Sequence, residues 1–259
     1  MTMPGYDYHG LMASTWDIWR DDTANWQDRS FYAAIIGQYG EPVLDLGCGT
    51  GRLLLDYLAQ GIDVDGVDNS AEMLGICRDK AARQGLRAPA LHQQEIEHLD
   101  LPRSYRTILG PSSVLQLLTE AEGAASALRR ILAHLQPGGA LVASFAFEWR
   151  PGDALDTGWE LLFEKSRPAD GATVRAWTRE WREPAEQVWH TEQRFEVELN
   201  GTVVQTERHR RSPEGRWYSQ AQAAELFRAA GFRNIRLFHG FTQEPAQEED
   251  RLYCVLGER

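Results

Sequence analysis

The stretch Val43-Leu44-Asp45-Leu46-Gly47-Cys48-Gly49-Thr50-Gly51-Arg52 constrains this chain more than any other. A short apolar run enters a glycine-rich turn and leaves it in a helical pattern. Glycine serves where backbone must turn with no Cβ in the way, or where a ligand lies directly on it. Such a turn, after the first strand of a doubly wound sheet, is where nucleotide-like ligands bind. Two details set it apart from a dinucleotide site. The pyrophosphate fingerprint wants its third glycine three positions after the second; Arg52 stands there, and the glycine comes one earlier, at Gly51. Asp45 also sits just before the loop, where a carboxylate disfavours pyrophosphate and suits an ammonium group. No Gly-Lys-Ser/Thr follows, so a P-loop is excluded as well.

Asp68 closes the next apolar run, 23 residues after Asp45. An acid at the end of the second strand accepts hydrogen bonds from both hydroxyls of a ribose. The ligand implied has a free ribose, an ammonium group and no phosphate. S-adenosyl-L-methionine meets all three requirements, with S-adenosyl-L-homocysteine as its product. The plainer alternative is that the glycines make only a structural turn; it leaves the offset of Asp68 unaccounted for.

The rest of the chain reads as four zones. Residues 1–41 are aromatic-rich and end in a helical pattern over 26–39, an N-terminal segment or lid. Residues 42–148 alternate strands at 43–46, 64–67, 90–92, 105–109 and 140–147 with helices at 51–60, 71–83 and 120–135, which predicts a cofactor-binding Rossmann-like core. Pro137-Gly138-Gly139 is read as the break between the last helix and the last of these strands. Residues 149–212 alternate with a period of two at 173–181 and 188–199, and Asn200-Gly201 joins the latter to 202–210, which predicts an antiparallel β insertion on the substrate side. Residues 213–259 return to the core, with a helix between Ser219 and Gly231 and strands near 235–238 and 252–256. The fold class expected is α/β, a doubly wound, mostly parallel seven-stranded sheet with an antiparallel β insertion.

Three motifs carry a resemblance to a known family: Asp-Leu-Gly-Cys-Gly-Thr-Gly-Arg at 45–52, Gly-Val-Asp-Asn-Ser-Ala-Glu-Met-Leu at 66–74, and Leu-Gln-Pro-Gly-Gly at 135–139. They resemble class I, Rossmann-like S-adenosylmethionine-dependent methyltransferases. The tail, from Gly215-Arg216-Trp217-Tyr218 to His239-Gly240-Phe241, resembles a bacterial subgroup with an antiparallel insertion before the last helix and strands. The resemblance implies that Gly47, Cys48, Gly49 and Gly51 line the methionine part of the cofactor and that Asp68 holds the ribose. It puts Glu95 at the adenine amino group and the Ile96 N–H at the ring. Asn69, Met73 and Pro111 complete the cofactor contacts it implies, beside Asp45.

Net charge is −11, which argues against a general nucleic-acid surface. A local basic patch at Arg208, Arg210, Arg211 and Arg216 is split by strand alternation, which sends Arg208 and Arg210 one way and Arg211 the other. Cys48, Cys77 and Cys254 have neither disulfide nor zinc spacing, so no metal is expected. No apolar run spans a bilayer and the first ten residues do not read as a signal peptide, so no membrane partner and a cytoplasmic location are expected. All nine tryptophans lie outside 43–148. They either build an aromatic acceptor pocket or cover a thin sheet, and covering is favoured for most of them. His190, His209 and His239 are base candidates only by position, and no catalytic residue is assigned. The leading expectation is methyl transfer to N or O of a small molecule. Methylation of tRNA or a protein side chain, and a non-catalytic S-adenosylmethionine-binding module, are the alternatives.

Overall fold

Residues 8–21, 26–147 and 149–259 are described by the structure, a computed structural model. Within the N-terminal zone, residues 1–7 and 22–25 lie outside the described residues, and so does most of the segment read for a signal peptide. The chain begins with two short helices, α1 (Gly10–Ser14) and α2 (Trp16–Trp19), followed by α3 (Asp28–Tyr39). Alternation then sets in: β1 (Val43–Leu46), α4 (Leu54–Ala59), β2 (Val64–Asp68), α5 (Ala71–Arg83), β3 (Ala90–Gln93), β4 (Tyr105–Gly110), α6 (Ala121–His134) and β5 (Leu135–Ala146). The insertion contributes β6 (Glu160–Ser166), β7 (Thr173–Glu183), β8 (Val188–Leu199) and β9 (Thr202–Arg216). The chain ends with α7 (Gln220–Ala230), β10 (Arg233–His239) and β11 (Leu252–Glu258).

The main sheet runs β10-β11-β5-β4-β1-β2-β3. β1 to β5 pair in parallel, and β11 is antiparallel to both β5 and β10. Strand period explains the two cores. Leu141, Ala143 and Phe145 of β5 meet α6 and α7 on one face, while Ala140 and Val142 meet the apolar sides of α3, α4 and α5 on the other. Each fully buried Leu or Phe contributes about 1.5–3 kcal/mol. Local signals fix the helix ends. Ser70 caps α5 by accepting from Met73 N–H at 3.1 Å. Ser219 and Gln222 form a capping box at α7, and Gly231 stops that helix with φ of 104°.

Several boundaries differ from the sequence reading, two of them for a reason that the glycines supply. The helix expected from residue 51 starts at Leu54, because Gly49 and Gly51 both have positive φ and hold the turn open. Pro137-Gly138-Gly139 does not separate α6 from β5 but lies inside β5, at a register shift against β4. A Cβ on Gly139 would lie 2.7 Å from the Arg106 carbonyl oxygen, so only glycine lets β5 enter this close to β4.

The insertion is a second, four-stranded antiparallel sheet, β6-β7-β8-β9. Asn200 (φ 51°) and Gly201 (φ 79°) make its tight hairpin. The hairpin's second strand runs to Arg216, past the expected end. One face packs Phe163, Val174, Ala176 and Phe195 against Leu11 and Met12 of α1. The outer face carries Arg175, Trp177, Arg179 and Trp181. There Arg175 pairs with Glu164 and Glu198, Arg179 pairs with Asp156, and Arg194 lies 5.4 Å over Trp177. Gln116, after β4, ties the two sheets by donating to the carbonyls of Ala146 and Arg216 and accepting from Ala146 N–H. The second sheet therefore stands over the carboxyl ends of the parallel strands.

Candidate active site

β1 lies between β2 and β4, so the chain leaves it in one direction and returns on its other side. That topological switch opens a crevice at its carboxyl end. The glycine loop forms the crevice floor. Its glycines have different reasons to be glycine. A Cβ on Gly47 (φ 63°) would meet Val114 Cγ2 at 2.6 Å. On Gly51 (φ 84°) it would strike Cys77 Sγ at 2.5 Å and Leu55 at 2.9 Å. On Gly49 (φ 52°) it would find only the Gly47 carbonyl at 3.9 Å, so that position is open to close approach by a ligand.

Two carboxylates flank the loop. Asp68 accepts from Gly49 N–H at 2.9 Å and from Ser70 N–H at 2.8 Å. Burial raises its pKa, and the two N–H donors pull the other way. Each oxygen keeps a second lone pair for a ligand. Asp45 is fully buried and its Oδ1 has no hydrogen-bond partner. Burial pushes its carboxyl up from an ordinary 3.8 to about 7, against the pull of Arg52 and with a further push from Asp68. An unpartnered, buried acceptor at the foot of a glycine loop fits the cationic group of a ligand. The Cys48 thiol is driven far up by burial and is an inert wall, not a nucleophile.

A cavity of about 500 Å³ extends from this floor, a volume suited to a small cofactor with part of a second ligand. Asp45, Gly47, Cys48, Gly49, Asp68, Asn69, Met73, Glu95, Ile96 and Pro111 all lie on its wall. Gly51 does not; it faces Cys77 under α5 and lines a shallower hollow. Glu95 is half exposed and its carboxylate meets His98 Nδ1 at 2.9 Å. Ile96 starts a 3-10 turn, Ile96–His98, and Met73 is buried.

The other half of the cavity is polar. The inner face of the second sheet supplies Thr178 and Glu180 from β7, Thr191 and Gln193 from β8, and Arg211 and Glu214 from β9. Arg211 pairs with Glu214 at 2.6 Å and donates to Tyr8 Oη at 3.0 Å, while Thr191 donates to Glu214. Ser112 (φ 52°) and Ser113 (φ 57°) follow β4 in left-handed conformation on the same wall. Two such non-glycine residues in a row cost about 1–3 kcal/mol each, a strain typical of ligand sites. Tyr8, Trp16, Trp19 and Arg20 close the side. This N-terminal segment is bonded to both walls: Ser70 Oγ donates to the Tyr8 carbonyl at 2.6 Å, Thr50 Oγ1 to Asp17 at 2.6 Å, and Leu11 N–H to Glu207 at 2.6 Å.

None of the histidines considered as bases lies on this wall. His190 stacks on Trp181 of the outer face, and His209 packs on Phe195 and His9 with its pKa lowered by burial. His239 pairs with Asp250 at 2.7 Å. Trp16, Trp19 and Trp189 reach the cavity, whereas Trp177 and Trp181 lie on the outer face and Trp217 is buried in the core. Arg208 and Arg210 are exposed and Arg211 is buried, so the basic cluster is divided as strand alternation implies. Among the described residues, no group of His, Cys, Asp and Glu is arranged to hold a metal ion, and no helix is long and apolar enough to cross a membrane. Sequence reasoning had not singled out Arg20, Thr50, Glu180 or Glu214 as site residues.

This sheet order, with a glycine loop and ribose-type acid at the switch point, is the fold of class I, Rossmann-like S-adenosylmethionine-dependent methyltransferases. Solved structures agree. The CcbJ methyltransferase from Streptomyces caelestis superposes with a TM-score of 0.78 at 19% identity, covering 98% of each chain. The sugar N-methyltransferase KedS8 from Streptoalloteichus sp. superposes with a TM-score of 0.74 at 20% identity, covering 100% of this chain and 97% of that one. Residues 43–139 match the methyltransferase domain family, so this part of the chain carries a methyltransferase domain. A curated relative, the ubiquinone biosynthesis O-methyltransferase of Aeromonas salmonicida, is 31% identical over 109 residues. That match spans 42% of this chain and 44%, less than half, of the relative.

Proposed function

We propose that this protein transfers a methyl group from S-adenosylmethionine to a nitrogen or oxygen of a small polar molecule. The observation that carries the reading is the single cavity joining the glycine loop, Asp45 and Asp68 to a polar compartment under the second sheet. Asp45 would hold the ammonium group with its unpartnered Oδ1, and Asp68 the ribose hydroxyls with its remaining lone pairs. Gly47, Cys48 and Gly49 would bed the methionine chain. Asn69, Met73, Glu95, Ile96 and Pro111 would surround the nucleoside. Gly51 would act by letting α5 pack beneath the loop.

When bound, the cofactor supplies a methyl group on a positively charged sulfur, open to in-line displacement. The protein's task is to align an acceptor lone pair and keep water out. The side chains of Thr178, Glu180, Thr191, Gln193, Arg211 and Glu214 offer hydrogen-bond donors and acceptors for a polar acceptor. In this reading residues 1–41 form a lid, 149–212 the substrate side, and 42–148 with 213–259 the core. A small acceptor is favoured by the enclosing walls, the net charge of −11 and the divided arginines. The matched O-methyltransferase and the superposed sugar N-methyltransferase keep both acceptor atoms in view. A cytoplasmic setting suits the three free, buried cysteines. Incubation with methyl-labelled S-adenosylmethionine and a fractionated metabolite extract tests the reading. Label in a low-molecular-weight product is expected; label only in tRNA or protein, or none in any fraction, overturns it.

A further inference from the structure

Strict alternation along a strand sends residues three apart to opposite faces of the sheet. Arg211 and Glu214 of β9 break that rule: both line the cavity, and they pair with each other at 2.6 Å. The cause is a bulge. Thr191 of β8 pairs with Arg211 and Trp189 with Gly215, so His190 alone stands opposite residues 212–214. Bulges re-aim side chains, and this one turns Glu214 inward. Gly215 completes it, because a Cβ there would overlap the Trp189 ring and meet the Gln116 carbonyl oxygen at 2.8 Å.

The Glu214 side chain is only 13% exposed. One carboxylate oxygen accepts from Arg211 Nη1 and the other from Thr191 Oγ1. Each keeps a second lone pair for a ligand. Arg211 is occupied in holding the wall together, since it also donates to Tyr8 Oη at 3.0 Å and to Gln193 Oε1 at 3.4 Å. From β7 comes a second carboxylate, Glu180, in register with Thr191 and paired with Arg182 at 2.9 Å. On the second sheet's part of the cavity wall, two carboxylates thus accompany one guanidinium. Thr178 lies on the same wall, and its buried hydroxyl has no hydrogen-bond partner. An unmet polar group beside a cavity is a place that a polar ligand completes.

From this geometry we infer that Glu214 is the contact for an amino group on the methyl acceptor. The inference rests on the function proposed above and selects nitrogen over oxygen. Glu214 accepts a hydrogen bond from an acceptor N–H, which fixes where the nitrogen lone pair points. In the transfer that lone pair forms the N–C bond while the C–S bond breaks with its electrons going to sulfur. Positive charge passes from sulfur to nitrogen, beside a carboxylate that stabilises it as it develops. The nitrogen keeps its protons in this step and gives one to water after release.

Two probes of like shape test the contact, n-propylammonium and n-propanol. Each is titrated into the full chain loaded with S-adenosylhomocysteine, which fills the Asp45 side of the cavity. Tryptophan emission is the readout, since Trp189 lines the acceptor half. Wild type, Glu214→Gln and Glu214→Asp are compared, with folding checked by circular dichroism. The wild type should bind n-propylammonium about tenfold or more tightly than n-propanol, Glu214→Gln should lose that preference, and Glu214→Asp should keep part of it. Equal affinity of the wild type for the two probes, or an undiminished preference in folded Glu214→Gln, overturns the assignment. So does a labelled-methyl product of the wild type that carries its new methyl on oxygen. A wild type that binds no S-adenosylhomocysteine and methylates nothing sinks the proposed function instead. The probe titrations of unliganded wild type and Glu214→Gln then still decide for or against Glu214 as an amine contact.

Discussion

Asp45 offers a perturbation whose size follows from its surroundings. Its carboxyl is fully buried, its Oδ1 is unpartnered and its pKa stands at about 7 against an ordinary 3.8. Three units correspond to about 4 kcal/mol between the ionised and neutral forms. In the ligand-free protein that difference opposes folding at neutral pH. The unfolded chain releases this proton near 3.8 and the folded one near 7, so the group's contribution is fully favourable below the first value and is lost as pH rises through the second. A cofactor ammonium reverses the balance by favouring the carboxylate. Below about pH 7, binding must expel a proton, and affinity should fall up to about tenfold per pH unit. Above about pH 8 the cofactor's own amino group loses its charge and affinity should fall again. Calorimetry in buffers of different ionisation enthalpy measures both the affinity and the protons released. Asp45→Asn should abolish the low-pH limb and the proton release, and bind less tightly at neutral pH. A dissociation constant that stays flat on the acid side, with no proton released, would refute this role for Asp45.

Two further predictions follow from the loop and the core. Gly51→Ala should destabilise the protein by about 1–3 kcal/mol or more in chemical denaturation, since its Cβ meets Cys77 Sγ at 2.5 Å, whereas Gly49→Ala should unfold it less but weaken cofactor binding more. Equal effects of the two on stability and on binding would contradict the division of roles. Arg103 bonds the buried Asp65 at 2.7 Å and Asp63 at 2.8 Å, with Tyr105 Oη on the same Asp65 oxygen at 2.9 Å. Arg103→Ala should cost about 3–5 kcal/mol by leaving the buried Asp65 carboxylate without its cation, with only the Tyr105 hydroxyl still donating to it. Cofactor affinity should be preserved where the variant is still folded.

The parts of the fold written in local chemistry were legible in the sequence. β1, α5 and β8 have the expected bounds because turns and periodicity agree at both ends. The Pro-Gly-Gly segment misleads because the property that breaks a helix, a missing Cβ or N–H, also admits a strand at a close crossing. The cofactor half of the candidate site is a local motif, so its residues could be named one by one. The acceptor half is a product of register. Alternation places Trp189, Thr191 and Gln193 on one face of β8, but both faces of the second sheet carry aromatics and charges. Which face turns inward depends on α1 docking against Phe163 and Phe195, a long-range contact with no signature in the sequence.

The most direct measurement is a calorimetric titration of S-adenosylmethionine into the wild type and Asp68→Asn at neutral pH, with folding of both checked by circular dichroism. Asp68 holds Gly49 N–H and Ser70 N–H and keeps lone pairs toward the cavity, so its charge should matter to the ligand as well as to the loop. One binding site per chain is predicted for the wild type, with affinity lowered about tenfold or more in the folded variant. No heat of binding in the wild type, or equal affinity in the two proteins, would contradict the cofactor site described for the carboxyl end of β1.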